Sequence, residues 1–326
     1  MSRRFGQLRL LAIATLLAVL FLIWVGGMVR ATGAGMGCPD WPTCFGQIIP
    51  PLSEAELPPD YQERYARYGY DEMTFDPVRT WTEYLNRLTG ALIGFLSLMT
   101  LVLAVLARRA DRWLPVLAGG AFVLVGFNGW LGAMVIETNL HGAVVTTHMM
   151  LSFGVILLLI GVVARVMSAT WTVDPLVKKA WFPALPVAMV LTVLQTGLGA
   201  QVRERVDAVA SSAADFHQRE GWIDQIGAIL SVHITVAMLV VLVNLWLAFR
   251  LFSAGGKARR VSMVLVAVLV VQVMLGSSLV VFDLPIVLQP FHLLGAAVLF
   301  SLQAFLLMVH TDNQSSLVPV QGLART

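Results

Sequence analysis

Eight apolar stretches, each about 20 residues long and almost free of charge, decide most of what this chain can fold into. Roughly 30 Å of hydrocarbon is crossed by about 20 helical residues. Lipid offers no water to satisfy backbone groups, so such stretches must be helical. They predict spans at residues 8–29, 85–106, 113–136, 143–164, 181–202, 226–249, 261–282 and 286–309. With 58% hydrophobic and only 13% charged residues, a soluble domain is excluded, and the partner implied is a lipid bilayer and not nucleic acid. The first stretch is too long for a secretory signal and runs into Gly26-Gly27-Met28-Val29-Arg30 without a small-residue cleavage site, so it is expected to stay as a helix.

Charge sets the expected orientation. With the N-terminus inside, the inner segments hold Arg3, Arg4, Arg9, Arg108, Arg109, Arg112, Arg165, Lys178, Lys179, Arg250, Lys257, Arg259, Arg260 and Arg325, which is 14 of the 22 basic residues. Every inner loop is then basic, as the positive-inside rule requires. Of the 19 acidic residues only Asp111, Asp174 and Asp312 fall inside. Both termini are therefore expected in the cytoplasm, with the functional face on the outer side.

Two outer loops are long. Residues 38–80 carry both cysteines, in Cys38-Pro39-Asp40-Trp41-Pro42-Thr43-Cys44, and a Tyr-rich stretch at 61–70 reads as a surface helix. Two prolines would stiffen a short ring closed by a Cys38–Cys44 disulfide, which an outer location permits; free thiols or metal ligation are the alternative. Residues 203–225, with Arg203, Glu204, Arg205, His217 and Trp222, read as a second loop capping the latter half.

An internal repeat organises the chain. Asn128-Gly-Trp-Leu-Gly-Ala-Met-Val135 returns as Gln195-Thr-Gly-Leu-Gly-Ala-Gln-Val202 and as Gln272-Val-Met-Leu-Gly-Ser-Ser-Leu279, with a weaker form at Trp24-Val25-Gly26-Gly27-Met28-Val29. Small residues there would let backbones approach closely. His148 follows Asn128 by 20 residues and His292 follows Gln272 by 20, an offset of 144 between the halves. At that offset Asn86 predicts position 230, three residues from His233. The expected architecture is an all-α integral membrane protein of eight helices in two pseudo-symmetric four-helix bundles, residues 1–170 and 171–326, related as parallel repeats.

The histidines carry the chemistry. His233 and His292, at matching depth on alternate helices of the second bundle, are placed to hold a heme iron from both sides, an arrangement suited to electron transfer. Hydrogen bonding across helix interfaces is the plainer alternative, although intramembrane histidines are costly and are usually functional. In the first bundle His148 stands alone, because the position matching His233 is Asn86, a poor iron ligand. A heme there would have a weak or open sixth position near Glu83, one turn before Asn86. Glu83 reads either as a proton-handling group or as an i,i+4 partner of Arg87. Arg30, Arg87 and Arg203 lie at outer helix ends, where they could pair with heme propionates or simply snorkel to the headgroups. His141 sits over the pocket or at the interface, His217 and His310 are expected in solvent, and the 14 methionines fill space.

This constellation resembles the heme A synthase family. The resemblance covers nearly the whole chain and rests on residues 31–42 leading to Cys44, on Thr82-Glu83-Tyr84-Leu85-Asn86-Arg87, on the Leu-Gly repeats, on His148, and on Leu288-Gln289-Pro290-Phe291-His292-Leu293. It implies conversion of heme O to heme A by oxidation of the C8 methyl to a formyl group, in an eight-helix protein. It further implies a heme b between His233 and His292, substrate heme on His148, an essential Glu83 and a Cys38–Cys44 disulfide. The implied partners are heme O synthase or cytochrome oxidase assembly factors, and an electron donor or acceptor such as quinone; a homo-oligomer is compatible. Asn86 departs from the family, many members of which have histidine there. Two other functions fit a heme-binding bundle. A transmembrane diheme electron carrier would stack hemes toward both faces, whereas these ligands lie near one. A heme transporter or assembly chaperone would suit parallel repeats, but the helices lack broken mid-segments.

Overall fold

The computed structural model describes residues 3–167, 183–212 and 219–315. Asp174, Lys178, Lys179, Trp181, His217 and Arg325 lie outside them, as do the side chains of His310 and Asp312. Among the described residues eight long helices form: α1 (Arg3–Ala31), α2 (Pro77–Leu106), α3 (Trp113–Glu137), α4 (Gly142–Met167), α5 (Ala184–Ser212), α6 (Ala228–Ser253), α7 (Gly256–Val281) and α8 (Leu288–Ser315). All eight are long and apolar enough to cross a membrane, and the chain is an integral membrane all-α protein. Large apolar side chains such as Phe95, Val123, Leu242, Phe249 and Met274 stay exposed on their outer faces, which only a lipid surround satisfies.

The first four helices close a ring in which α1 packs on α2 and α4, and α3 packs on α2 and α4. The last four close a second ring in the same order, and the two meet along α1, α4, α5 and α8. Helix α4 lies deepest in this seam, with 56% of its apolar span buried against 11% for α6 and α7. There Phe153 of α4 meets Phe300 of α8 edge-on at 5.0 Å, within a core that also takes in Val19, Ile93 and Met189. A buried polar contact ties the second ring from inside: Gln303 of α8 donates to Thr192 of α5 at 3.0 Å and to Asn244 of α6 at 2.9 Å.

Two expected boundaries move. Helix α2 begins at Pro77, ahead of the span expected from residue 85, because Asp76 caps it by accepting from the Val78 and Arg79 amides and Pro77 fits the first helical position. Helix α5 runs on to Ser212, so Arg203, Glu204 and Arg205 are helical and not part of a loop. The reason is a small core beyond the apolar span, where Val206 packs with Trp222, Ile226 and Leu284.

Residues 38–75 fold into a compact cap over the ends of α1 and α2. Its centre is Phe45, 1% exposed and met edge-on by Tyr61, Tyr65, Tyr70 and Phe75. The stretch expected as a surface helix makes one helical turn at Tyr61–Arg64 and a second, tighter one at Ala66–Tyr68, and its tyrosines face inward. Gly37 lies so close to the backbone of Arg79 and Thr80 that a side chain there would collide with it, which seats the cap on the first turn of α2.

Candidate functional site

The repeated glycines turn out to be the seats of the polar residues. Built on Gly132, a Cβ would lie 3.4 Å from His148 Cε1; on Gly199, 3.2 Å from His233 Cε1; on Gly276, 3.1 Å from His292 Cε1. The fourth pair joins Gly26 to Asn86, whose Oδ1 would be 3.8 Å away. Each odd-numbered helix thus offers a bare glycine face to one polar side chain of the next helix. The sequence suggested close helix approach at these glycines; that occurs at Gly27, which abuts Pro290 of α8, whereas the repeat glycines receive imidazoles and a carboxamide.

The residues opening each repeat lie against those histidines. His148 Nδ1 lies 3.0 Å from the Asn128 carbonyl oxygen, to which it can donate only as the Nδ1–H tautomer, leaving Nε2 with a free lone pair. The Gln195 carboxamide nitrogen lies 3.1 Å from His233 Nδ1 and 3.2 Å from its Nε2, and donates to the His233 carbonyl at 3.0 Å. Gln272 likewise donates to the His292 carbonyl at 2.9 Å. On the helices that carry these rings several buried polar atoms have no partner among the described residues: Asn86 Oδ1, Asn128 Oδ1, Thr146 Oγ1, Gln195 Oε1, Gln272 Oε1 and His292 Nδ1. Orphans of this kind are rare in a finished core and collect where a polar or metal-bearing group binds. Imidazoles seated on bare glycine, with unpaired polar atoms beside them, fit an iron porphyrin: the donor set is right for iron, and the unpaired atoms leave hydrogen-bonding capacity for a bound group.

Glu83 is the one buried carboxylate among the described residues, at 3% exposure. Its Oε2 accepts from the Cys38 amide at 2.9 Å and its Oε1 binds Arg87 through Nε at 3.1 Å and through Nη2. Arg87 also donates to the carbonyls of Cys38 at 2.7 Å, Thr43 at 3.1 Å and Asp40. Cys38 and Cys44 form a disulfide, so these acceptors all belong to one closed ring. All five Arg87 N–H groups are used, which leaves none for a propionate. Of the readings open for Glu83, the geometry realises the Arg87 partner and adds an anchor to the disulfide ring that spacing alone could not reveal.

Arg30 and Arg203 come together through a residue missed from the sequence. Arg30 binds Asp207 at 2.7 Å, Arg203 binds it at 2.6 Å, and Arg203 also donates to Gln289 of α8. This cluster ties the end of α1 to α5 and α8. Asp207 went unnoticed because it falls on the stretch of α5 read as loop. His141 is exposed just before α4, where its carbonyl accepts from Val144 and Val145.

Comparison with known proteins gives one consistent result. The COX15-CtaA family model, described as cytochrome oxidase assembly protein, matches residues 9–304. The heme A synthase of Shewanella oneidensis is 27% identical over 319 residues, covering 90% of this chain and 93% of that protein. Those of Nitrosospira multiformis and Shouchella clausii are 26% and 25% identical, over 87% and 94% of this chain and 87% and 98% of theirs.

Proposed function

The chain belongs to the cytochrome oxidase assembly protein (COX15-CtaA) family, and from that premise we propose that it is a heme A synthase, an oxidoreductase that converts the C8 methyl of heme O to the formyl group of heme A. The observation that carries this reading is the set of three imidazoles, each seated on a repeat glycine and surrounded by unpartnered polar atoms.

In the second ring His233 and His292 would hold a resident heme b, which would supply one-electron transfer. Gln195 and Gln272 each hold the backbone carbonyl of the histidine that faces them. In the first ring His148 Nε2 takes the iron of the substrate heme, with Nδ1 anchored on Asn128. Glu83 sits one turn above Asn86, closes the mouth of this ring through Arg87 and the Cys38–Cys44 cap, and is the carboxylate positioned to accept a proton when that pairing opens. Arg30 and Arg203, gathered by Asp207, place positive charge at the seam of the two rings, where the carboxylates of a porphyrin would be drawn. The eight helices run unbroken through their apolar spans, which favours an enzyme over a transporter built on broken helices.

The same reading places the protein in the bacterial inner membrane with both termini cytoplasmic and the long-loop face periplasmic, since the short connections are the basic ones. Heme O synthase or oxidase assembly factors would deliver and receive the porphyrin, and a quinone or a redox protein would exchange electrons. Heme extraction and mass analysis of membranes from cells making heme O tests the activity. Heme A is expected with the wild type and not with Glu83→Ala, and equal heme A in both refutes the assignment.

A further inference from the structure

Four glycine seats line the two rings, and three hold imidazole. The fourth holds Asn86 against Gly26, on the diagonal from His148 just as His233 stands on the diagonal from His292. The carboxamide ends about one atom short of where an imidazole Nε2 would reach from the same backbone. Among the described residues the Asn86 side chain makes no hydrogen bond, neither at the buried Oδ1 nor at the amide N–H, so the donor is free for a ligand. A neutral amide is a weak ligand for iron, which prefers imidazole or thiolate, so this position does not complete a second axial pair. A short side chain with both a donor and an acceptor, set across from a single imidazole, has instead the form of a hydrogen-bonding neighbour to a small ligand.

We propose that the first ring admits a neutral diatomic π-acceptor, of the carbon monoxide and dioxygen kind, at the place His233 fills in the second, with the Asn86 carboxamide donating a hydrogen bond to it. This rests on the reading that His148 carries the substrate porphyrin. No bond within the porphyrin changes in this step: the ligand coordinates ferrous iron opposite His148, and the amide N–H points at its outer atom. The second ring, closed by two imidazoles, takes no such ligand.

The test uses the purified full-length protein loaded with heme O, reduced with dithionite and exposed to carbon monoxide. The wild type is expected to show one carbon monoxide-reactive heme and one inert low-spin heme per chain. Asn86→His is expected to lower carbon monoxide binding at least tenfold and to add a second low-spin signature, a gain that a merely damaged fold would not produce. Asn86→Leu is expected to keep binding while its C–O stretch moves up in frequency and ligand release quickens severalfold. A wild-type protein with both hemes present and neither reactive overturns the proposal, as does an Asn86→His protein that binds like the wild type. Heme stoichiometry in His148→Ala separates the two levels: loss of one heme and of all carbon monoxide reactivity supports both, whereas two retained hemes refute the His148 assignment itself.

Discussion

Substituting the repeat glycines one at a time should produce a graded loss of heme that follows the measured clearances. Ordinary van der Waals contact begins near 3.4 Å, so alanine at Gly276, with His292 Cε1 at 3.1 Å, drives that ring back by about 0.3 Å, while Gly199 at 3.2 Å demands about 0.2 Å and Gly132 at 3.4 Å almost nothing. Overfilling a packed interior costs about 1–3 kcal/mol, which at 1.4 kcal/mol per tenfold is a roughly 5- to 150-fold weaker hold on heme for Gly276→Ala, and more for Gly276→Val. Gly197, in the same helix as Gly199 but with nothing within 4 Å of an added Cβ, is the control. Alanine adds about 1 kcal/mol of helix propensity at an interior glycine, so the losses cannot be ascribed to weakened helices. The assay is total extractable heme per chain after purification, with the low-spin Soret band reporting the second ring. The expected order of loss is Gly276, then Gly199, then Gly132, with Gly197 unchanged. Equal retention in all four, or equal loss in Gly197→Ala, would refute the idea that these glycines exist to seat imidazoles.

Other perturbations probe the supports of the site. Arg87→Ala strips the buried Glu83 of its partner and three loop carbonyls of their donor, and breaking a buried pair costs about 3–5 kcal/mol; the cap should become cleavable by protease added on the long-loop face while the α5–α8 heme spectrum stays intact. Gly37→Val should have the same effect on the cap, because its side chain would meet the Arg79 backbone, and an undigested cap in that variant would show that the contact is dispensable. Gln303→Leu leaves Asn244 and Thr192 without their shared donor; interhelical polar contacts in membranes are worth about 0.6 kcal/mol on average, with a maximum near 1.7, so a small drop in melting temperature is expected, and none at all would mean that the contact is idle.

The spans were legible because hydrocarbon thickness forces a length and a composition on each of them. What lies past the lipid was not, since beyond the apolar window a helix continues for local reasons: the Asp76 cap starts α2 early, and the Val206 contacts carry α5 to Ser212. The Leu-Gly repeat was visible in the sequence, but its neighbours were not, because which side chain fills a glycine face depends on helix rotation. A fixed offset of 144 misses His233 by three residues because 62 positions separate Asn86 from His148 but 59 separate His233 from His292, whereas the glycine pairs align His233 with Asn86 directly. The fate of the arginines was hidden as well. Arg30 meets Asp207 across 177 residues of sequence, and Arg87 is used up by carbonyls of a ring whose closure spacing could suggest but not shape.

Near-infrared magnetic circular dichroism of the purified protein tests the core of this account most directly, because it reports axial ligation of each heme. A bis-imidazole low-spin band is expected in the wild type and in His148→Ala, and its absence is expected in His233→Ala and in His292→Ala. Persistence of that band after both second-ring histidines are replaced would contradict the assignment of the two imidazoles to one iron.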